Sequence, residues 1–217
     1  MAGESGDPPV WPGWFTELFA HRRWVRRTRP FPHVYARDVF TADFYGRLVA
    51  EYARVHAEEY GHEHGGIPLA DLRDGPLALF TTAEWRALVT GVTGVTEAGD
   101  IEGSVREHPA GARWERPSHG LPSAGAEFGS GTVRAMFYLN NPDWRPGGGG
   151  ETALYADIAG DAPEPAVLVP PLDNSILVFE CAPRTWHTVA GGNAAAHHHV
   201  RMSLHRPPRR GNRLDRA

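Results

Sequence analysis

The stretch GTVRAMFYLNNPDWRPGGGGETALY, residues 131–155, shows the architecture of this chain most plainly. An apolar run at 133–139 is followed by prolines, then by four glycines at 147–150, then by a second apolar run at 151–155. Runs this short, bounded by Gly and Pro clusters, read as strands joined by a turn. GGGG is too short to be a linker. The same texture continues on both sides. Strands are expected near 103–108, 133–139, 151–155, 166–169, 175–180, 185–189 and 200–205. No repeat of solenoid period is present.

Upstream of about residue 100 the pattern changes to helical spacing. Phe15, Leu18, Phe19 and Val25 suggest a short amphipathic helix within 14–27. Residues 31–40 read as a strand. Thr41 is placed to cap a helix whose Phe44, Leu48, Val49 and Tyr52 form one apolar face. Thr82 is placed to cap another, with Trp85, Leu88 and Val89 as its stripe. The expected class is therefore mostly β with flanking helices.

The composition excludes several classes. A length of 217 residues, 41% hydrophobic and 22% charged, is ordinary for a globular chain. A net charge of −4 offers no basic footprint for nucleic acid. No apolar run spans a membrane, and the N-terminus lacks the pattern of a secretory signal. Cys181 is the sole cysteine, so no internal disulfide framework is possible and a reducing, cytoplasmic setting is expected. The absence of lysine alongside many arginines suggests GC-rich coding and a bacterial source. Loops such as 57–77 are expected to supply a pocket for a small-molecule substrate, and no peptide-binding annex is visible. The oligomeric state is not readable.

Three pieces carry the chemistry. PSH, ending at His119, leads to the strand VRAMFYLN and on to DWRPGGGGET. NSILVF leads through a turn to TWHTV, which contains His187. VRMSLHRP places Arg201 fourteen residues after His187. In this order and spacing the chain resembles the iron(II)/2-oxoglutarate dioxygenases of the prolyl-4-hydroxylase type, over about its C-terminal half. Residues 31–52 resemble that family's first strand and helix more weakly. The resemblance implies a double-stranded β-helix, a jelly roll of cupin type, with an N-terminal helical layer. One domain is then expected across 1–217: an extension at 1–30, helical support at 31–100, the jelly-roll core at 101–206 and a tail at 207–217.

The resemblance implies iron(II) and 2-oxoglutarate as cofactors, with His119 and His187 as metal ligands. Non-haem iron of this kind needs protein ligands on one face and open positions for the oxo acid and oxygen. Arg201 is implied to grip the distal carboxylate of 2-oxoglutarate, which a guanidinium fork matches bidentately. His108 falls near the position where the family often has a tyrosine that helps hold the oxo acid, and Tyr138 belongs to the same candidate group. Asn140 and Trp144 are assigned to turn and packing work, and His197, His198 and His199 to a solvated loop able to bind metal adventitiously.

The pattern departs from the family at Leu121, which stands where His-X-Asp has its carboxylate. Leucine cannot coordinate a metal. Glu127 on the following loop, or His108, is a candidate third ligand; alternatively the position is open in a two-histidine site. The expected activity is hydroxylation or another C–H oxidation of a small molecule. The competing readings are a non-catalytic jelly-roll binding module, a halogenase-like enzyme, and a metal dioxygenase that ignores 2-oxoglutarate.

Overall fold

The computed structural model describes residues 11–20, 24–59, 66–95, 99–113, 115–118, 132–159 and 163–205. Its elements, in chain order, are α1 (Gly13–Thr16), β1 (Val25–Arg27), β2 (His33–Ala36), α2 (Ala42–Glu59), β3 (Ile67–Pro68), α3 (Ala83–Thr93), β4 (Ile101–His108), β5 (Thr132–Tyr138), β6 (Thr152–Tyr155), β7 (Val167–Val169), β8 (Ser175–Cys181), β9 (Trp186–Val189) and β10 (His197–Leu204). Two 3₁₀ turns, Leu69–Asp71 and Pro76–Thr81, lie between β3 and α3.

A large sheet runs β1-β2-β8-β5-β10-β4-β3, and a small one runs β7-β6-β9. Every strand pair is antiparallel. The non-sequential order, with β5 between β8 and β10, is that of a jelly roll. The helices cover one face of the large sheet, and the small sheet covers the other.

Period-two alternation sorts the side chains of the large sheet. Val133, Ala135 and Phe137 of β5, Ile176 and Val178 of β8, and Val200, Met202 and Leu204 of β10 join Phe44, Leu48, Tyr52, Trp85 and Val89 in the helix-side core. Met136 and Tyr138, with Leu177, Phe179 and Cys181, face the small sheet and meet Leu154 and Val169 there. The run SILVF is apolar without alternation because both of its faces are buried.

Local chemistry sets the helix ends. The Thr82 hydroxyl accepts a hydrogen bond from the Trp85 amide at 3.2 Å, and α3 stops at Gly94, whose φ of 73° is left-handed. Ahead of α2, the Thr41 carbonyl accepts from the Tyr45 amide at 2.9 Å.

Two expectations need correction. The helix expected within 14–27 is a single turn, and Val25–Arg27 is a strand. Phe15 enters the core from that one turn and Phe19 from an isolated bridge with Phe40, whereas Val25 is exposed and the open edge of β2 takes up the backbone of β1. His197, His198 and His199 are not a solvated loop. They begin β10, three residues earlier than expected, paired with β4 from His108 onward.

Candidate functional site

The small sheet positions His187. In β9 it is in register with Leu154 of β6 on one side. On the other side Ser118 forms an isolated bridge with it, the two residues exchanging amide-to-carbonyl bonds of 3.0 and 2.9 Å. The imidazole crosses the space between the sheets and meets the Phe179 ring of β8 edge-on, at 4.7 Å between centroids. Its Nδ1 lies 3.2 Å from the Thr185 carbonyl, which can only accept. Nδ1 therefore carries the hydrogen, and the lone pair belongs to Nε2.

Opposite lies the inner face of the large sheet, and its arginines set the electrostatics. Arg201 of β10 is half-buried between Ser104 of β4 and Met136 of β5. Arg134 of β5 is 4% exposed and pairs with Ser203, one diagonal step from Arg201 on the same face. Burial lowers the pKa of Arg134, and the neighbouring Cys181 opposes that shift. Burial raises the Cys181 thiol in turn. Arg106 of β4 completes the group and donates from Nε to the Ser104 hydroxyl at 2.9 Å. Three guanidinium groups on one inner face give it a positive field of the kind that suits an anion. Arg134 carries the same sequence signal as Arg201, a lone cation in an apolar strand, and only its burial marks it out.

Further along this face three imidazoles converge. His108 of β4 stacks on His197 at 4.8 Å and on His199 at 5.3 Å, and one ring nitrogen from each lies within 4.8 Å of the others. His197 is 2% exposed and His199 1%. Burial, then the neighbouring imidazoles, lowers His199 well below its ordinary value and His197 to about 3. Burial lowers His108 as well. All three are neutral near pH 7, the form that binds metals. Nδ1 of His197, Nδ1 of His199 and Oδ1 of Asn193 are buried without a hydrogen-bond partner. Each such atom costs about 1–3 kcal/mol if nothing satisfies it.

Tyr138 is fully buried on this face, and its hydroxyl lies 2.7 Å from the Thr152 hydroxyl. The structure thus brings Tyr138 near His199, at 6.2 Å between rings, and groups His108 with His197 and His199. His119, Leu121 and Glu127 lie outside the described residues.

Solved structures share this arrangement of sheets. A Pseudomonas putida prolyl-4-hydroxylase matches with a TM-score of 0.57 at 19% identity, over 81% of this chain and 88% of that one. The chain has the prolyl-4-hydroxylase fold. A Phytophthora capsici prolyl 4-hydroxylase gives a TM-score of 0.57 at 20% identity, over 80% of this chain and 58% of that one. A Trichoplax adhaerens prolyl hydroxylase, solved with a peptide fragment of the hypoxia inducible factor oxygen degradation domain, gives 0.54 at 14% identity, over 80% and 83%. No family model and no curated protein matches the sequence. In the prolyl-4-hydroxylase fold of this chain, His187 of the small sheet faces the inner side of the large sheet, the side that carries the three arginines.

Proposed function

We propose that the chain is an iron(II)/2-oxoglutarate-dependent oxygenase that oxidises a C–H bond of a small molecule. The observation that carries this reading is His187, which projects from the small sheet toward a face lined by Arg201 and Arg134. A metal-binding nitrogen and a cationic face are the two parts needed to hold a metal-chelating dicarboxylate. The described donor set fits: Thr185 fixes the His187 tautomer that leaves Nε2 for iron. His119, one residue beyond the Ser118 bridge, is the proposed second ligand. When bound, iron(II) and the oxo acid would activate dioxygen, the oxidant for C–H cleavage, with the oxo acid giving up two electrons as it is decarboxylated.

The chain's own residues do the rest. Arg201, helped by Arg134, orients the distal carboxylate. Phe179, Leu177 and Leu154 line the space beside His187 with apolar surface and keep water from it. Leu121 offers no ligand atom. The grouping of His108 with two other histidines favours an open third position, or one filled by Glu127, over His108 as the third iron ligand. A cytoplasmic setting accords with the single, buried cysteine, and a bacterial source with the lysine-free, arginine-rich composition. Among the described residues no helix is long and apolar enough to cross a membrane.

Iron titration tests the reading. His187→Ala is expected to weaken iron(II) binding at least about a hundredfold, because it removes one ligand of an already reduced set. Leu121→Asp is expected to strengthen it by adding a carboxylate to a divalent site. Wild-type iron affinity in His187→Ala, or no 2-oxoglutarate binding in the iron-loaded chain, would exclude the assignment.

A further inference from the structure

We propose that His108, His197 and His199 form a second metal site, distinct from the centre at His187, that takes zinc(II) through three neutral imidazoles. The donor nitrogens already lie within 4.8 Å of one another. A tetrahedral ion with Zn–N bonds of about 2.0–2.1 Å holds its donors about 3.3 Å apart, so small ring rotations complete the set.

A second observation points to a ligand independently of that spacing. The Nδ1 atoms of His197 and His199 are buried and have no partner in the protein. Asn193 Oδ1 is in the same condition, although its Nδ2 donates to the carbonyls of Pro109 and Ala195 at 2.8 and 2.9 Å. His197 and the Asn193 side chain both border Gly150. A Cβ on Gly150, where φ is +81°, would stand 2.8 Å from His197 Nδ1 and 3.3 Å from the Asn193 Cβ. Only glycine at this position lets the backbone pass this close to His197. A coordinated ion would satisfy the imidazole nitrogens, and Asn193 Oδ1 would accept a hydrogen bond from a water on the fourth position.

The donor chemistry selects the ion. The group contains imidazoles and no carboxylate or thiolate, which suits zinc and similar borderline ions rather than magnesium or calcium. The outer cluster of His56, Glu107 and His198 provides a control within the same molecule. There His56 Nε2 meets Glu107 Oε2 at 2.7 Å and the Tyr52 hydroxyl meets His198 Nδ1 at 2.6 Å, so protein groups already do what an ion would do. All three proposed ligands lie on β4 and β10, with His108 opposite His197, so the ion would brace the end of that strand pair.

The test uses the full chain, stripped of metal and titrated with cobalt(II) as a spectroscopic probe and with zinc(II) for stoichiometry and affinity. Wild type, His187→Ala, His199→Gln and His108→Gln are compared. The expected result is a tetrahedral cobalt(II) absorption band in wild type and in His187→Ala, absent from the other two. Zinc affinity is expected to fall at least about a hundredfold in those two. His108 is half-buried, so its variant keeps the test intact if replacing the buried His199 impairs folding. Circular dichroism verifies the fold of each variant. Absence of the band from wild type, or its survival in both His199→Gln and His108→Gln, would overturn the proposal. So would a band lost only in His187→Ala, which would locate the ion at the other centre. Iron binding at His187 is read separately, so either site can fail without deciding the other.

Discussion

His198 and His199 are chain neighbours in β10, and the pleat sends them to opposite sides of the large sheet. His198 turns toward α2, where its Nδ1 meets the Tyr52 hydroxyl at 2.6 Å and lies 3.9 Å from Glu107 Oε2, which His56 Nε2 engages at 2.7 Å. His199 turns inward beside His108 and His197, and its Nδ1 has no partner. The same division holds along the whole sheet. The helix side is filled by Phe40, Phe137, Val178, Met202 and their neighbours. The inner side carries Arg106, Arg134, Tyr138, His197, His199 and Arg201. The first face accounts for stability. The second holds desolvated cations and imidazoles, an arrangement expected where a ligand is to be bound.

This division predicts that stability and ligand binding respond to different residues. The largest effect is expected on the helix side. Trp85 is fully buried against Phe19, Phe40 and Phe80, with Nε1 directed at Met202 Sδ at 3.1 Å. Trp85→Ala should cost about 3–5 kcal/mol in urea unfolding. Iron and 2-oxoglutarate affinities of the molecules that remain folded should not change. A lowered 2-oxoglutarate affinity at full folding would mean that the two faces are coupled.

A smaller effect, divided between two measurements, is expected from Arg134→Met. It removes a buried cation while keeping an unbranched, apolar side chain of fair length. The melting temperature should hold or rise, because burying the charge is itself costly. The 2-oxoglutarate dissociation constant should rise about tenfold, equivalent to about 1.4 kcal/mol. A lower melting temperature with unchanged affinity would make Arg134 a structural residue.

The smallest effect concerns pH. His33 lies on β2 opposite Phe179, with Nδ1 at 2.9 Å from the Phe31 carbonyl, and burial holds its pKa below 6.5. Between the folded value and 6.5 the unfolded chain binds more protons than the folded one. The stabilisation from neutral His33 is complete above the unfolded value and is lost as pH falls through that window. The melting temperature should therefore drop between about pH 7 and 5, and His33→Gln should make the drop shallower. An identical slope in that variant would remove His33 from the account.

Much of the fold was legible because its signals are local. Thr82 before an apolar stripe marks a helix start, and Gly/Pro clusters mark strand ends. The inward direction of Arg201 followed from its isolation in VRMSL. The inner histidines were not legible. A polar triplet resembles a loop, and only the pairing of β10 with a strand about ninety residues earlier buries two of the three. The stretch at 25–27 was misread for a related reason: its strand character comes from the edge of β2 and not from its own residues.

Three identical letters carry no phase. Slipping HHH by one position leaves the text unchanged but exchanges every inward imidazole for an outward one. Something else must hold the frame, and Asn141 is well placed to do so. Its Oδ1 accepts from the His198 amide at 2.7 Å, and its Nδ2 donates to the His198 carbonyl at 3.0 Å. One side-chain amide thereby reads a single backbone unit from both ends, as a strand partner would. The Leu139 amide, bonded to the same carbonyl at 3.3 Å, repeats the reading. Asn141 thus acts as an index mark: it makes the middle histidine of an otherwise ambiguous run the one that faces the helices.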